Sequence, residues 1–139
     1  MSKSIKPEDL QKVLSEYLEE YVENIQEDVK ETTDAITKEA VQELKDTSPK
    51  GEGTREKPYH KGWRKQKGKE NKGRYTIKIH NATNYQLTHL LEFGHATRNG
   101  GRTREKPHIR PIEDKYNKLH EKRLTTVIKR RSRKWHYKN

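Results

Sequence analysis

Histidine is the residue type with the widest chemistry in this sequence, at His60, His80, His89, His95, His108, His120 and His136. His89 and His95 flank Glu92, a set of side chains able to ligate a divalent cation. A helical zinc pair needs two histidines four apart, so that both rings leave the same face. Here the interval is six and Gly94 breaks the helix between them, so the set reads as ordinary polar side chains. Covalent catalysis has no starting point either. There is no cysteine, no Gly-x-Ser-x-Gly turn and no glycine-rich phosphate loop. A basic nuclease built on Gly94-His95 and Asn99 would also need a carboxylate cluster or a second histidine held close, and the pattern supplies neither. The residue types therefore predict no enzyme, no metal site and no cofactor.

The next chemistry is electrostatic. Lys129, Arg130, Arg131, Arg133 and Lys134 form a basic run beside Trp135 and Tyr137. Cations that displace phosphate counterions, with aromatic faces to stack on, are the ingredients of nucleic-acid binding. A terminal charge run is also what a solvated or protein-docking tail looks like, and no nucleic-acid-binding motif accompanies it. The whole chain has a formal net charge of +11, unevenly spread. Residues 1–48 carry 13 Asp/Glu against 6 Lys/Arg, whereas the rest carry 8 against 26. Such an electrically polar chain can pack acidic surface against basic surface in a ring of copies, or meet an acidic partner such as DNA.

These groups need elements to position them. Only 27% of the 139 residues are hydrophobic and 38% are charged, against roughly 45–50% apolar, counting Gly, and roughly 25% charged in a typical domain. The length fits one domain, 1–139, with a thin core that gains support from neighbouring subunits. The first residues lack the apolar stretch of a signal peptide and no run approaches a membrane span, so no membrane partner is expected.

Along the chain, Pro7 and the acidic pair Glu8-Asp9 suit a helix start. Apolar residues then recur from Leu10 to Leu44 at steps of three and four, predicting a long helix over about 7–46. Thr32-Thr33-Asp34 is a place for it to bend, and a two-stranded coiled coil is disfavoured because steady heptads are missing. A mobile loop is expected over about 47–61. Tyr75, Ile77 and Ile79 alternate with polar neighbours as a half-buried strand does, and with the segment around Trp63 they predict a hairpin over about 62–81 whose inner face meets the long helix. A short helix over about 84–92 follows, capped by Asn84 and ended by Gly94. A basic loop over about 95–106 and a C-terminal helix over about 112–135 complete the chain. The fold class is α+β: a long N-terminal helix and a C-terminal helix packed on a small antiparallel β-sheet. Thr54-Arg55-Glu56-Lys57-Pro58 recurs as Thr103-Arg104-Glu105-Lys106-Pro107, too short to count as a structural repeat.

Three segments in order carry a family likeness. They are Leu44-Lys45-Asp46-Thr47-Ser48-Pro49-Lys50 with Gly53 and Lys61-Gly62-Trp63; Tyr85 to His95, containing Leu91-Glu92-Phe93-Gly94-His95; and Lys106-Pro107-His108-Ile109-Arg110-Pro111-Ile112. Together they resemble the head–tail connector (neck, tail-component or head–tail joining) proteins of long-tailed bacteriophages and prophages, over roughly residues 35–130. The sequence departs from the family pattern at Gly53-Thr54 for Thr-Gly, His95 for Thr, His108 for Phe and Ile112 for Ala. The resemblance implies a structural subunit without catalysis, in the virion neck and in the host cytoplasm during assembly. It implies a homo-oligomeric ring touching other phage head, neck and tail proteins, and DNA passing through. Its signature residues are Trp63, Leu91, Glu92, Phe93, Gly94, His95, Pro107, Arg110 and Pro111. Glu92 is expected to accept backbone N–H groups or the Arg110 side chain, and Pro107 and Pro111 to impose an extended approach to the last helix. The signature corner is either an interface or a piece of structural glue, in which case the loops at 46–62 and 95–106 carry the partner contacts.

Overall fold

A computed structural model describes residues 6–50, 57–71 and 73–138, with the side chains of the last helix described up to Lys134. Its order is helix α1 (Leu10–Thr47), strand β1 (Trp63–Lys67), strand β2 (Ile77–Asn81), helix α2 (Leu87–Phe93) and helix α3 (Ile109–Lys138). This is the α+β arrangement expected, two long helices packed with a two-stranded antiparallel sheet.

α1 has neither Gly nor Pro along its 38 residues, so nothing in its backbone interrupts it. A 3-10 turn at Pro7–Asp9 leads into it. Pro49 ends it by forcing Ser48 to extended backbone, φ −64° and ψ 147°. α1 runs unbroken through Thr32-Thr33-Asp34, read from the sequence as a weak place. Thr32 Oγ1 donates to the Asp28 carbonyl at 2.8 Å and Thr37 Oγ1 to that of Thr33 at 2.8 Å. Thr33 Oγ1 meets His120 Nε2 of α3 at 2.9 Å and Asp34 accepts the Tyr75 hydroxyl at 2.5 Å. The polar side chains that compete with a helix when exposed are here bonded along it or to its neighbours.

β1 and β2 pair in the register Trp63↔Asn81 to Lys67↔Ile77. The ladder continues past the strands, with Gly68 N–H donating to Thr76 O at 2.8 Å and Asn71 bridging Arg74. Ile77 and Ile79 are half-buried and Lys78 between them is exposed, so one face of the hairpin lies on α1 as the alternation predicted. Tyr75 lies just outside β2.

Other boundaries differ from expectation. The short helix spans Leu87–Phe93, and Asn84 does not cap it. Asn84 instead opens a turn, its carbonyl accepting Leu87 N–H at 3.0 Å and its Nδ2 donating to Lys57 O at 3.0 Å. The segment expected as a loop over 47–61 contains a 3-10 turn at Tyr59–Lys61, and its residues 51–56 lie outside the described residues. So does most of the first copy of the Thr-Arg-Glu-Lys-Pro echo. The last helix begins at Ile109, three residues before the predicted start, and Pro111 sits inside its first turn. Proline is tolerated there because the first N–H groups of a helix have no intrahelical acceptor to lose.

The core is thin. Ala40, Leu44, Tyr59, Trp63 and Ile112 form the buried cluster, joined at its edge by Val41, Ile79, Leu87, Leu91, Ile109 and Tyr116. An open-sided hollow of about 470 Å³ runs between α1, the hairpin and α3, lined among others by Ile36, Trp63, Ile77 and Ile112. α3 lies antiparallel on α1, and the pairing of the two helices uses the charge split of the sequence within one chain. Arg131 clasps Asp28 at 2.8 and 3.0 Å, Arg123 meets Glu39 at 2.8 Å and Lys115 meets Glu43 at 2.8 Å. The Tyr116 hydroxyl also donates to Glu43. Arg131 and its neighbours hold Asp28 below the usual carboxylate range, chiefly through that bidentate bond. The charge division thus serves first to match the two long helices of one chain.

Candidate functional site

The three signature segments meet in one buried corner at the start of α3. Glu92, near the end of α2, is only 6% exposed. Its Oε2 accepts the backbone N–H groups of His108 at 2.8 Å and Ile109 at 3.0 Å, and its Oε1 accepts that of Arg110 at 3.1 Å. A carboxylate from another element therefore satisfies the open N–H groups of α3, where the helix dipole also favours negative charge. Burial alone would raise the Glu92 pKa, but these three donors, with the nearby His108, hold it below the usual value. The Arg110 side chain is exposed and takes no part; of the two donors expected for Glu92, the backbone is the one used.

His108 is 4% exposed and continues the network. Its Nδ1 faces two acceptors, Lys106 O at 2.8 Å and Glu92 Oε2 at 3.0 Å, so Nδ1 carries the proton. Nε2 lies 2.7 Å from the Tyr59 hydroxyl and in the neutral ring accepts from it. Burial pushes the Tyr59 phenol up. Tyr59, Trp63 and His108 pack edge to face, with centroids 5.5 to 6.2 Å apart. Trp63, 3% exposed, donates its indole N–H to Ser48 Oγ at 2.8 Å. The Ser-Pro segment, the Gly-Trp segment, the Glu-Phe-Gly segment and the Pro-His-Ile-Arg-Pro segment are thus parts of one contact set. The tyrosine, histidine and glutamate form a string suited in type to proton transfer, but every member is buried and both ring nitrogens are engaged.

Gly94 makes the turn out of α2. It has φ 72° and ψ 171°, a region essentially restricted to glycine, and a Cβ there would lie 2.6 Å from Thr103 O. The close approach closes the loop that follows. Thr103 N–H donates to His95 O at 2.8 Å, His95 N–H to Thr103 Oγ1 at 2.8 Å, and Lys106 N–H to Leu91 O at 2.7 Å. Arg102 reaches back to Phe93 O at 3.2 Å.

The predicted signature residues separate into two groups. Trp63, Glu92 and Gly94 are buried and Leu91 half-buried, whereas Phe93, His95, Pro107, Arg110 and Pro111 are exposed. His89 stacks on Phe93 with centroids 6.3 Å apart, and His95 Nδ1 lies 3.0 Å from Thr103 Oγ1, so the two histidines weighed as metal ligands have separate local partners. Among the described residues no three His, Cys, Asp or Glu gather as a metal site would need. In the basic run, Arg131 is committed to Asp28, while Lys129, Arg130, Arg133 and Lys134 are exposed. The side chains of Trp135 and Tyr137 lie outside the described residues. Among those described, no helix is long and apolar enough to cross a membrane.

Sequence reasoning missed Tyr59 and Asn81. Asn81, 3% exposed, ties β2 to the 3-10 turn ahead of β1 through Nδ2 to Tyr59 O at 2.8 Å. Its Oδ1 accepts Asn84 N–H at 2.9 Å and Thr83 N–H at 3.2 Å. The cluster Asn81-Ala82-Thr83-Asn84 carried the signal, since asparagine bonding to the backbone two or three residues on is an Asx turn.

Compared with known proteins, the chain matches at residues 12–94 the model of a family described as "Bacteriophage HK97-gp10, putative tail-component". That is more than half of the chain and includes the first signature segment and the second as far as Gly94; the third lies beyond it. Comparison with curated proteins and with solved structures gives no match.

Proposed function

Because the chain belongs to the HK97 gp10-like family of phage tail components, we propose that it joins the DNA-filled head to the tail, as a neck or tail-completion subunit. It does so by fitting its surfaces to sister copies in a ring and to neighbouring head and tail proteins. The observation that carries this reading beyond the family is the division of the signature. Its buried members, Trp63, Glu92 and Gly94, are spent inside the corner, fixing how α2, the loop at 95–106 and α3 leave one another. Its exposed members, Phe93, His95, Pro107, Arg110 and Pro111, stand on the outside of that same rigid corner. A fixed corner that presents aromatic and basic side chains is suited to docking.

Deleting the gene from the phage or prophage that encodes it tests the reading. Electron microscopy of the lysate should show filled heads and complete tails lying separate. Complete virions at normal yield would refute it. Nucleic-acid binding is the second reading, and the exposed Lys129, Arg130, Arg133 and Lys134 favour it. A gel shift that persists near physiological salt would support that reading, whereas weak binding that salt removes would leave joining as the function.

A further inference from the structure

We propose that copies of this chain associate head to tail, the N-terminal end of α1 in one copy docking on the outer face of α2 in the next. This rests on the reading of the chain as an assembly subunit and names the contact that links one subunit to another.

Among the described residues, exposed apolar side chains gather on two surfaces. The first is the start of α1. Leu10, Leu14, Tyr17, Leu18 and Val22 recur at steps of three and four, and each is 44–55% exposed. Arg131 of α3 lies opposite Asp28, and this stretch lies on the N-terminal side of that contact. This arm is acidic: Glu16, Glu19, Glu20 and Glu23 are exposed along it, against Lys12. The second surface is on α2. Leu87 and Leu91 turn to the core, leaving Leu90 at 40%, Phe93 at 60% and, just ahead of the helix, Tyr85 at 67% exposed. The loop at 95–106 and the first turn of α3, adjoining it where Arg102 reaches Phe93 O at 3.2 Å, make a basic rim, with Arg98, Arg102, Arg104, Lys106 and Arg110 exposed against Glu105.

The two surfaces complement each other in both respects. Apolar stripe meets apolar patch, and acidic flank meets basic rim. Arm on arm would set glutamates against glutamates, and patch on patch arginines against arginines, so charge selects the unlike pairing. One chain cannot make that pairing with itself. The patch packs beside the Ala40–Leu44 end of α1, and a continuous helix holds the arm roughly 40 Å away. A contact between unlike surfaces leaves a row of bound copies with one arm open at one end and one patch open at the other, the geometry that closes into a ring when the rotation allows. A nucleic acid on the basic patch would leave the arm without an occupant.

The chain has no cysteine, so introduced ones report cleanly. Leu14→Cys and Leu90→Cys chains, purified and mixed under oxidising conditions, should form a mixed disulfide several-fold faster than either forms with itself. It should also form several-fold faster than either forms with Lys78→Cys, an exposed position on β2 that measures random collision. Adding Glu16→Lys and Glu20→Lys to the Leu14→Cys chain should slow the reaction, and adding Arg98→Glu and Arg104→Glu to the Leu90→Cys chain should recover it. Preferential coupling of Leu14→Cys with itself would mean that arms pair with arms and would overturn the proposal. Coupling no faster than the Lys78→Cys control would also overturn it. Either result is read on purified protein, so the head–tail reading, read on phage lysates, would stand or fall separately.

Discussion

Glu92 concentrates the physics of the corner in one side chain. Replacing it with Ala leaves three backbone N–H groups without their acceptor in a buried place, and His108 Nδ1 with Lys106 O alone. The expected loss is about 2–4 kcal/mol of unfolding free energy, measured by urea denaturation. The same group predicts a pH dependence. Its pKa is lowered in the folded chain from 4.5, so the unfolded chain binds its proton first as pH falls. The stabilisation is complete above that unfolded value and is lost as pH drops through the folded one. Glu92→Gln should flatten this part of the stability–pH profile below pH 4.5 relative to the native chain; an unchanged profile would show that the carboxylate charge is not what caps α3. At Gly94 the expectation is different in kind. Gly94→Ala puts a Cβ against Thr103 O in backbone that only glycine adopts easily, and should cost about 1–3 kcal/mol. Little of this was legible from the residues alone. Glutamate followed by Phe-Gly marks the end of a helix, but its partners are backbone groups 16 to 18 residues later, and a backbone N–H has no sequence identity to read. Trp63 with Ser48, and Tyr59 with His108, are likewise set by tertiary proximity across 15 and 49 residues.

At the scale of elements the sequence was more informative, because periodicity is local. The stripe from Leu10 to Leu44 gave α1 to within a few residues, and the alternation at Ile77 and Ile79 gave β2 and the face it turns to α1. Two failures have a common cause. Thr32-Thr33-Asp34 reads as a weak place and Pro111 as a barrier, yet α1 runs through the first and α3 begins before the second. In both, groups from another element satisfy the backbone or side chain locally: His120 and Tyr75 on α1, Glu92 on α3. The charge split was legible as composition, but its use was not, since either intramolecular or intermolecular pairing fits the same counts. The structure spends part of it on α1 against α3, through Asp28, Glu39 and Glu43. Those ion pairs contribute modestly, because their side chains keep solvent: Arg131 is 32% and Asp28 20% exposed. Arg131→Ala should cost about 1 kcal/mol or less, while Ile112→Ala, in the buried cluster, should cost about 2–4 kcal/mol. Denaturation midpoints of the two variants decide whether charge or packing holds α3 in place; an Arg131 effect as large as that of Ile112 would mean that charge does.

For the whole molecule, a thin core and long exposed helical surface go together. Six buried apolar residues among those described, from Ile36 to Ile112, cannot cover two helices of 38 and 30 residues. Apart from Ile128, the large apolar groups left exposed among the described residues are gathered at the start of α1 and on the outer side of α2, with charge of opposite sign around each. That distribution suits a subunit completed by its neighbours, and the family match gives the neighbours their setting. Function was legible at this scale only through resemblance, because docking needs no fixed set of residue types as catalysis does. The most direct measurement is rescue in a lysate. Purified chain added to a lysate of the gene-deleted phage, holding separate filled heads and tails, should restore infectious particles in proportion to the protein added. A titre that stays at the level of the untreated lysate, although the heads and tails are intact by microscopy, would contradict the account.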